Sequence, residues 1–99
     1  MNKGGYDRPF FIIGDNMKLE LFYYDACPFC GFVLNEINKL SIKVDYKNIL
    51  EDQESRSRLE SDTGRRTVPC LYIDNKPMFE SQDIIQWLNK NADKLEKTK

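Results

Sequence analysis

The chain has 99 residues, of which 40% are apolar, and this is enough for one domain with its own hydrophobic core. Its 15 Lys and Arg residues nearly balance 16 Asp and Glu residues, which argues against a nucleic-acid binder because such proteins usually carry a basic excess. Histidine is absent, and no apolar run approaches the roughly 18 residues of a membrane span. We therefore expect one folded domain with neither a nucleic-acid nor a membrane partner.

The first 16 residues are interpreted as an N-terminal extension of unknown role. Glycines and a proline interrupt any regular pattern there, and the apolar run Phe10–Ile13 is too short for the hydrophobic region of a signal peptide, which needs about 7–15 residues. The run could pack on the domain or add a short strand, or the segment could be an upstream read-through with Met17 as the start of the domain, and the sequence leaves all three open. We expect the domain to span residues 17–99 and its Lys-rich tail to fray into solvent from Lys94.

The first elements of the domain are a strand and a helix. Residues 18–24 alternate between apolar and other side chains, which predicts a strand. Apolar residues at helical spacing follow and predict a helix over residues 28–40: Phe32, Val33, Ile37 and Leu40.

A second strand and a second helix follow. Residues 41–49 are expected to form a strand parallel to the first, reached by a right-handed crossover through the first helix. Its apolar side chains should share one face: Ile42, Val44 and Tyr46. Residues 51–62 have an acidic start and are followed by Gly64, which together predict a helix that ends near residue 63.

The last part of the chain predicts two strands and a helix. Residues 70–73 and 77–79 are the strands, and residues 74–76 form a tight turn between them. The helix is expected to start with Ser81 as its N-cap and Asp83 in its first turn. It should bury Ile84, Ile85 and Leu88, with Trp87 alongside. The predicted fold class is α/β, with a four-stranded mixed sheet flanked by three helices in the order βαβαββα.

The motif Cys27-Pro28-Phe29-Cys30 lies at the junction between the first strand and the first helix. Backbone N–H groups at a helix N-terminus have no intrahelical partner, and the peptide dipoles add positive potential there. Both effects favour the thiolate of Cys27. Pro28 suits the first helical turn because its missing N–H would have been unpaired anyway. Cys30 lies one turn later, close enough to attack a disulfide formed at Cys27, so the pattern indicates a redox site.

Other uses of the cysteines are less consistent with the sequence. A secreted disulfide scaffold would need more cysteines in pairs, and a structural zinc site would need a second pair or histidines. A structural disulfide between Cys27 and Cys30 would close a very short loop and stabilise little. We expect Cys70 to be a small buried apolar side chain, and we expect no metal.

The order of elements and three motifs together resemble a glutaredoxin over residues 17–92. The motifs are Cys27-Pro28-Phe29-Cys30, the segment Thr-Gly-Arg-Arg-Thr-Val-Pro that ends at Pro69, and the pair Glu80-Ser81 before the last helix. The resemblance implies a thioredoxin-like fold with a cis peptide bond before Pro69, next to Cys27. It also implies glutathione as reductant and co-substrate.

The resemblance implies a glutathione site around Cys27. The backbone of Val68 would pair with the cysteine part of glutathione. Glu80-Ser81 resembles the pair that holds the γ-glutamyl group in glutathione-transferase N-terminal domains. Many glutaredoxins have a lysine where this chain has Tyr24, and Arg66, or else Arg65 or Arg56, could supply the cation. The expected substrate-binding residues are Tyr24, Pro28, Phe29, Arg66, Thr67, Val68, Pro69, Glu80, Ser81 and Gln82, and the expected catalytic residues are Cys27 and Cys30.

The function implied is reduction of protein disulfides and protein–glutathione mixed disulfides, by a monomer that works in the cytoplasm. The partners implied are glutathione and disulfide-containing or glutathionylated client proteins. Two alternatives stay open. One is a carrier of a [2Fe–2S] cluster ligated through glutathione, and the other is a glutathione-binding module without catalysis.

Overall fold

The computed structural model describes residues 17–98, so the expectations for the N-terminal extension lie outside the described residues. The elements are β1 (Leu19–Tyr23), α1 (Pro28–Leu40), β2 (Asp45–Asn48), α2 (Gln53–Thr63), β3 (Cys70–Ile73), β4 (Lys76–Phe79) and α3 (Ser81–Asn91), followed by a 3-10 turn (Ala92–Lys94). The predicted order βαβαββα is confirmed. None of the helices within residues 17–98 is long and apolar enough to cross a bilayer.

The four strands form one mixed sheet in the order β2-β1-β3-β4. β1 pairs with β2 in parallel, with Tyr23 opposite Asn48. β3 runs antiparallel to β1, with Phe22 opposite Cys70, and β4 runs antiparallel to β3. The parallel pair brings the ends of β1 and β2 to the same edge of the sheet, and the segment after β1 carries Cys27.

Apolar side chains cover both faces of the sheet, as the helix–sheet–helix layering requires. The larger cluster includes residues of α1 and α3 and consists of Leu19, Leu21, Val33, Ile37, Ile42, Val44, Leu71, Ile84, Leu88 and Leu95. The smaller cluster includes Leu59 of α2 and consists of Phe22, Ile49, Leu59, Cys70 and Tyr72. The stripe expected on the last helix is confirmed for Ile84 and Leu88, while Ile85 and Trp87 are half-buried at the edge of the larger cluster.

The second strand is shorter than predicted, and its expected apolar face is partly wrong. Ile42 and Val44 are buried as expected, but they precede the strand, and Tyr46 is 45% exposed. β2 is an edge strand, and the buried apolar residues lie before it and not on it. The ring of Tyr46 instead packs edge-on against Tyr23, with centroids 6.0 Å apart.

The C-terminal tail does not fray from Lys94. Leu95 is buried in the larger cluster, and the backbone N–H of Lys43 donates to the Glu96 carbonyl at 2.8 Å. The N–H of Thr98 donates to the Ser41 carbonyl, also at 2.8 Å. One buried leucine and two backbone hydrogen bonds therefore hold the tail against the segment between α1 and β2.

Polar contacts hold α2 against the sheet. The guanidinium of Arg58 donates to both oxygens of Glu20, at 2.8 and 3.1 Å, and lies 4.5 Å from the centroid of the Tyr72 ring. The Tyr72 hydroxyl donates to Asp62 at 2.8 Å. Of the helix's own residues only Ser55 and Leu59 are buried. Because α2 is held mainly by polar contacts, its sequence shows little apolar periodicity. Its predicted bounds, residues 51–62, are nearly those observed.

Candidate active site

Cys27 is the residue directly before α1. Its backbone is extended, Pro28 occupies the first turn of the helix, and the Cys27 Sγ accepts the backbone N–H of Cys30 at 3.2 Å. The N–H of Cys27 itself donates to the carbonyl of Tyr24 at 3.2 Å, which closes a tight loop after β1. The sulfur therefore lies at the positive end of a helix with a donor directed at it, an arrangement that stabilises a thiolate.

The two thiols of the motif differ in their surroundings. Cys27 is 6% exposed, whereas Cys30 is fully buried on the inner side of α1. Burial, with the neighbouring Cys27 sulfur as a second cause, raises the pKa of the Cys30 thiol to about 12. At neutral pH the arrangement therefore provides one thiol that is slightly exposed, at Cys27, and one protonated thiol behind it, at Cys30. All three cysteines are free thiols.

A cleft of about 300 Å³ lies next to the start of α1. Its lining consists of Phe29, Thr67, Val68, Pro69, Glu80, Ser81 and Gln82. The peptide bond between Val68 and Pro69 is cis, as the resemblance implied. Three segments far apart in the chain, the helix start at residue 29, the loop before β3 and the start of α3, thus meet in one concave surface.

The loop that leads to the cis peptide bond is anchored at the end of α2. Gly64 ends the helix with a φ of 80°, in the left-handed region, and its N–H donates to the Glu60 carbonyl. The hydroxyl of Thr63 lies 2.7 Å from the carbonyl of Leu59 and 2.9 Å from that of Arg65. The docking of α2 through Glu20 and Arg58 therefore also positions this loop. The sequence analysis did not predict the ion pair between these two residues.

The start of α3 differs from the expectation. Ser81 is the first helical residue, so its predicted role as N-cap is wrong. Glu80 takes the N-cap position with a φ of 73°, and no side chain caps the helix. This left-handed turn at Glu80 rotates the chain out of β4 and leaves Ser81, which is buried, at the wall of the cleft.

Of the predicted substrate-binding residues, Tyr24, Pro28 and Arg66 do not line the cleft, and neither do the predicted catalytic residues Cys27 and Cys30. Tyr24 is half-buried beside the smaller apolar cluster, and Pro28 is exposed. The exposed guanidinium of Arg66 lies 3.9 Å from Glu60. Arg65 stacks on the ring of Phe79 with its guanidinium carbon 4.1 Å from the centroid.

Arg56, which was also considered as the cation for glutathione, forms a hydrogen bond outside the cleft. Its guanidinium donates to the Ile49 carbonyl at 3.1 Å, in the segment between β2 and α2. The cations on the side of the cleft formed by the loop before β3 are Arg65 and Arg66.

Cys70 is a fully buried residue at the start of β3, as predicted. Burial raises the pKa of its thiol to about 12. It lies opposite Phe22 on one neighbouring strand and Phe79 on the other, within the smaller apolar cluster. Cys70 is therefore a packing residue at neutral pH.

Comparison with known proteins relates this fold and site to two groups of proteins. The family described as "Glutathione S-transferase, N-terminal domain" matches residues 21–96. Glutaredoxin-1 of Monkeypox virus is 32% identical over 83 residues, which cover 78% of this chain and 77% of the viral protein. The chain belongs to the glutaredoxin family. It is accordingly a thiol–disulfide oxidoreductase.

Solved structures agree with this assignment. Wheat glutaredoxin is 28% identical, with a TM-score of 0.58 over 78% of this chain and 74% of the wheat chain. A glutathione transferase homologue from Drosophila mojavensis has a TM-score of 0.64 at 23% identity, over 77% of this chain. This chain spans only 36% of that transferase, so the likeness concerns one domain and its fold. The glutaredoxin has the thioredoxin-like fold predicted from the sequence.

Proposed function

We propose that this glutaredoxin uses glutathione to reduce protein–glutathione mixed disulfides and protein disulfides, with Cys27 as the attacking thiol. One observation supports this most directly. The Sγ of Cys27 accepts an N–H at a helix start that adjoins a cleft of about 300 Å³, and the two walls of that cleft suit a γ-glutamyl peptide. The transferase homologue from Drosophila mojavensis was solved with glutathione bound, which is consistent with the same ligand here.

In the first step the thiolate of Cys27 attacks the glutathione sulfur of a mixed disulfide. The bond between the client sulfur and the glutathione sulfur breaks, the client leaves as a thiolate that takes up a proton, and glutathione stays on Cys27. The helix N-terminus and the N–H of Cys30 favour the attacking thiolate. In the second step free glutathione attacks this mixed disulfide, which releases oxidised glutathione and restores Cys27.

The cleft supplies contacts for each part of glutathione. Val68 lines the cleft, and its backbone would form hydrogen bonds with the cysteine part, like a short added strand. The start of α3 at Ser81 and Gln82 suits the γ-glutamyl carboxylate, since the first N–H groups of a helix attract anions. Glu80 would receive the ammonium group. Thr67 and Phe29 complete the walls.

The remaining predicted residues surround these contacts to glutathione. Arg66 would attract the glycine carboxylate of glutathione from the rim, if it left the exposed pair with Glu60. Tyr24 and Pro28 shape the loop that presents Cys27. On protein disulfides Cys30 would resolve the intermediate within the chain. We further propose that the protein acts as a monomer in the cytoplasm, where thiols are kept reduced.

The test is turnover of a glutathione mixed disulfide of a small thiol, coupled to glutathione reductase, for the wild type, Cys27→Ser and Cys30→Ser. We expect Cys27→Ser to be inactive and Cys30→Ser to keep turnover, because the second step uses external glutathione. We expect Cys30→Ser to lose reduction of protein disulfides. Cys70→Ser serves as the control for removal of a buried thiol away from the helix start.

Two results would contradict the proposal. Absence of turnover by the folded wild type would exclude glutathione as the reductant. Full turnover by Cys27→Ser would show that another thiol attacks. An absorbance spectrum after anaerobic purification, recorded on the same sample, would reveal an iron–sulfur cluster if the alternative function were correct.

A further inference from the structure

Two walls of the cleft start from neighbouring positions of the sheet. One wall belongs to the loop that ends at Pro69, and the other belongs to the turn from β4 into α3, which begins at Glu80. Cys70, the first residue of β3, is paired with Phe79, the last residue of β4. The two walls therefore share a base at this pair, and their separation depends on how the loop and the turn are held beyond it.

A stacked arginine connects these two walls. Arg65 belongs to the loop, and its guanidinium carbon lies 4.1 Å from the centroid of the Phe79 ring, directly before Glu80. Val68 and Phe79 both pack against the smaller apolar cluster, so the ring under Arg65 is itself anchored in the core. In the part of the chain that the structure describes, the side-chain hydrogen bonds and ion pairs of residues 64–69 stay within α2 and this loop. The stack on Phe79 is therefore how a charged side chain of the loop reaches the other wall.

The backbone of Arg65 is fixed independently of its side chain. The N–H of Arg65 donates to the hydroxyl oxygen of Thr63 at 3.3 Å, and the same oxygen lies 2.9 Å from the Arg65 carbonyl. The N–H of Gly64, the preceding residue, donates to the Glu60 carbonyl at 2.8 Å. The backbone of Arg65 is thus tied to the end of α2 while its side chain lies on a ring at the end of β4. Arg65 can therefore hold the loop and the turn together.

The adjacent arginine is placed differently. The guanidinium of Arg66 lies 3.9 Å from Glu60, and both side chains are more than half exposed. An exposed ion pair of this kind contributes little, so Arg66 can exchange it for an anion at the rim of the cleft. The guanidinium of Arg65 instead lies on the face of an aromatic ring, where its planar shape allows stacking. The two arginines therefore differ in role, although the sequence analysis considered both as the cation for glutathione.

We propose that Arg65 is a positioning residue for glutathione. Its stack on Phe79 holds the two walls of the cleft at the separation that the γ-glutamyl peptide needs, and Arg65 itself does not touch the ligand. This proposal rests on the proposed function, because it concerns the same cleft. Loss of the stack would weaken binding of the glutathione half of the mixed disulfide. The attack by Cys27 would be unaffected, because other residues form the helix start that favours its thiolate.

The experiment is a double-mutant cycle with the glutathione mixed disulfide of cysteamine as substrate, at excess glutathione and coupled to glutathione reductase. We expect Arg65→Gln to raise the KM about twofold to fivefold, as the loss of a stack at an exposed site allows, and to leave kcat within about twofold. Phe79→Leu removes the ring and should raise the KM by a similar factor. Because both changes break the same contact, the double variant should show no more than the larger single effect.

Arg66→Gln is the matched control, since it removes the same charge from the next residue of the loop. Its effect on the KM should multiply with that of Phe79→Leu, because Arg66 lies next to Glu60. Phe79→Tyr keeps an aromatic ring and should keep the wild-type KM. Iodoacetamide is neutral and needs no cleft, so it should alkylate Cys27 at the same rate in the wild type and in Arg65→Gln. A general loosening of the active site would instead change this rate together with the KM.

The outcomes separate this proposal from the proposed function. An unchanged KM in Arg65→Gln overturns the positioning role, and so do effects of Arg65→Gln and Phe79→Leu that multiply, since Arg65 would then act without the ring. If Phe79→Leu does not fold, the salt dependence decides. The KM ratio of Arg65→Gln to the wild type should persist at about 0.5 M salt, and a fall of the ratio to one would overturn the proposal by showing direct attraction of a carboxylate. Absence of turnover by the folded wild type would instead overturn the proposed function.

Discussion

The carboxylate of Glu20 is 2% exposed and receives two hydrogen bonds from Arg58, at 2.8 and 3.1 Å, across the interface between β1 and α2. Arg58 is only partly buried, which lowers the cost of bringing both charges together. Because α2 buries only two of its own residues, this pair and the bond from Tyr72 to Asp62 make a large share of its contact with the sheet.

We expect Glu20→Gln to lower the free energy of unfolding by about 2–3 kcal/mol. A fully buried pair that loses one partner costs about 3–5 kcal/mol, and the partial exposure of Arg58 reduces this figure. Chemical denaturation at pH 7 measures the loss. Lys43→Gln breaks the exposed pair between Lys43 and Glu96 and should cost less than about 1 kcal/mol. Equal costs for the two variants would show that burial of Glu20 contributes nothing.

Acid should destabilise the protein through the same pair. The hydrogen bonds from Arg58 hold the pKa of Glu20 below its ordinary value of 4.5. The unfolded chain therefore binds the proton at a higher pH than the folded chain does, so stability falls as the pH drops below about 4.5. The hydroxyl of Ser55 likewise lowers the pKa of Asp52. Denaturation at several pH values should show a smaller acid loss for Glu20→Gln, and an unchanged slope would contradict the assignment.

Only Cys27 should react with iodoacetamide in the folded protein. Cys30 and Cys70 are fully buried, and a pKa of about 12 leaves about one molecule in 100,000 as thiolate at pH 7. Intact mass should show one added group, located at Cys27, and three after denaturation. Cys27→Ser should take up none over the same period. Rapid labelling of Cys30 in the folded protein would show that its burial is not maintained in solution.

Two glycines should respond in opposite directions to alanine. Gly64 has a φ of 80°, where a Cβ is strained, so Gly64→Ala should destabilise the protein by about 1–2 kcal/mol. Gly31 lies inside α1, and a Cβ there would meet nothing within 4 Å, so Gly31→Ala should stabilise it by about 0.5–1 kcal/mol. Thermal unfolding of both variants beside the wild type measures the difference. The same sign for both would contradict this reading of the backbone.

The variant Ser81→Ala distinguishes a role of Ser81 in glutathione binding from a role as the N-cap of α3. A helix N-cap contributes about 1 kcal/mol, but Ser81 is not the N-cap, so the variant should change the free energy of unfolding by less than about 0.5 kcal/mol. If Ser81 contacts the γ-glutamyl group as proposed, the KM for glutathione should rise about tenfold. Unfolding and kinetics on one preparation decide between the roles. A large loss of stability with an unchanged KM would exclude the binding role.

Much of the fold was predictable because it depends on neighbours in the chain. The spacing of Val33 and Ile37 defines the buried side of α1, and Pro28 and Leu40 are its ends in the sequence and in the structure alike. Gly64 marked the end of α2 correctly. The binding residues remain predictions, although seven of the ten line one cleft.

The errors concern positions whose state depends on distant contacts. The strand pattern of residues 18–24 does not indicate that α2 covers Glu20, which the structure shows to be buried. The tail was expected to be free because it is Lys-rich, yet Leu95 has a place in the core. Ser81 was predicted as the N-cap because serine is common at that position. In the structure Glu80 takes the N-cap position with a left-handed backbone, and the helix begins at Ser81.

The sequence by itself predicted a redox site and determined the order of elements and the position of Cys27 at a helix start, because these follow from residues within one or two turns of each other. Only the tertiary structure decided which thiol is accessible, how α2 is held and what forms the cleft. Cys30 is buried by the sheet, Arg58 meets Glu20 38 residues away, and the cleft joins segments around residues 29, 68 and 81. Such contacts depend on how the strands pair, and no local pattern in the chain encodes that.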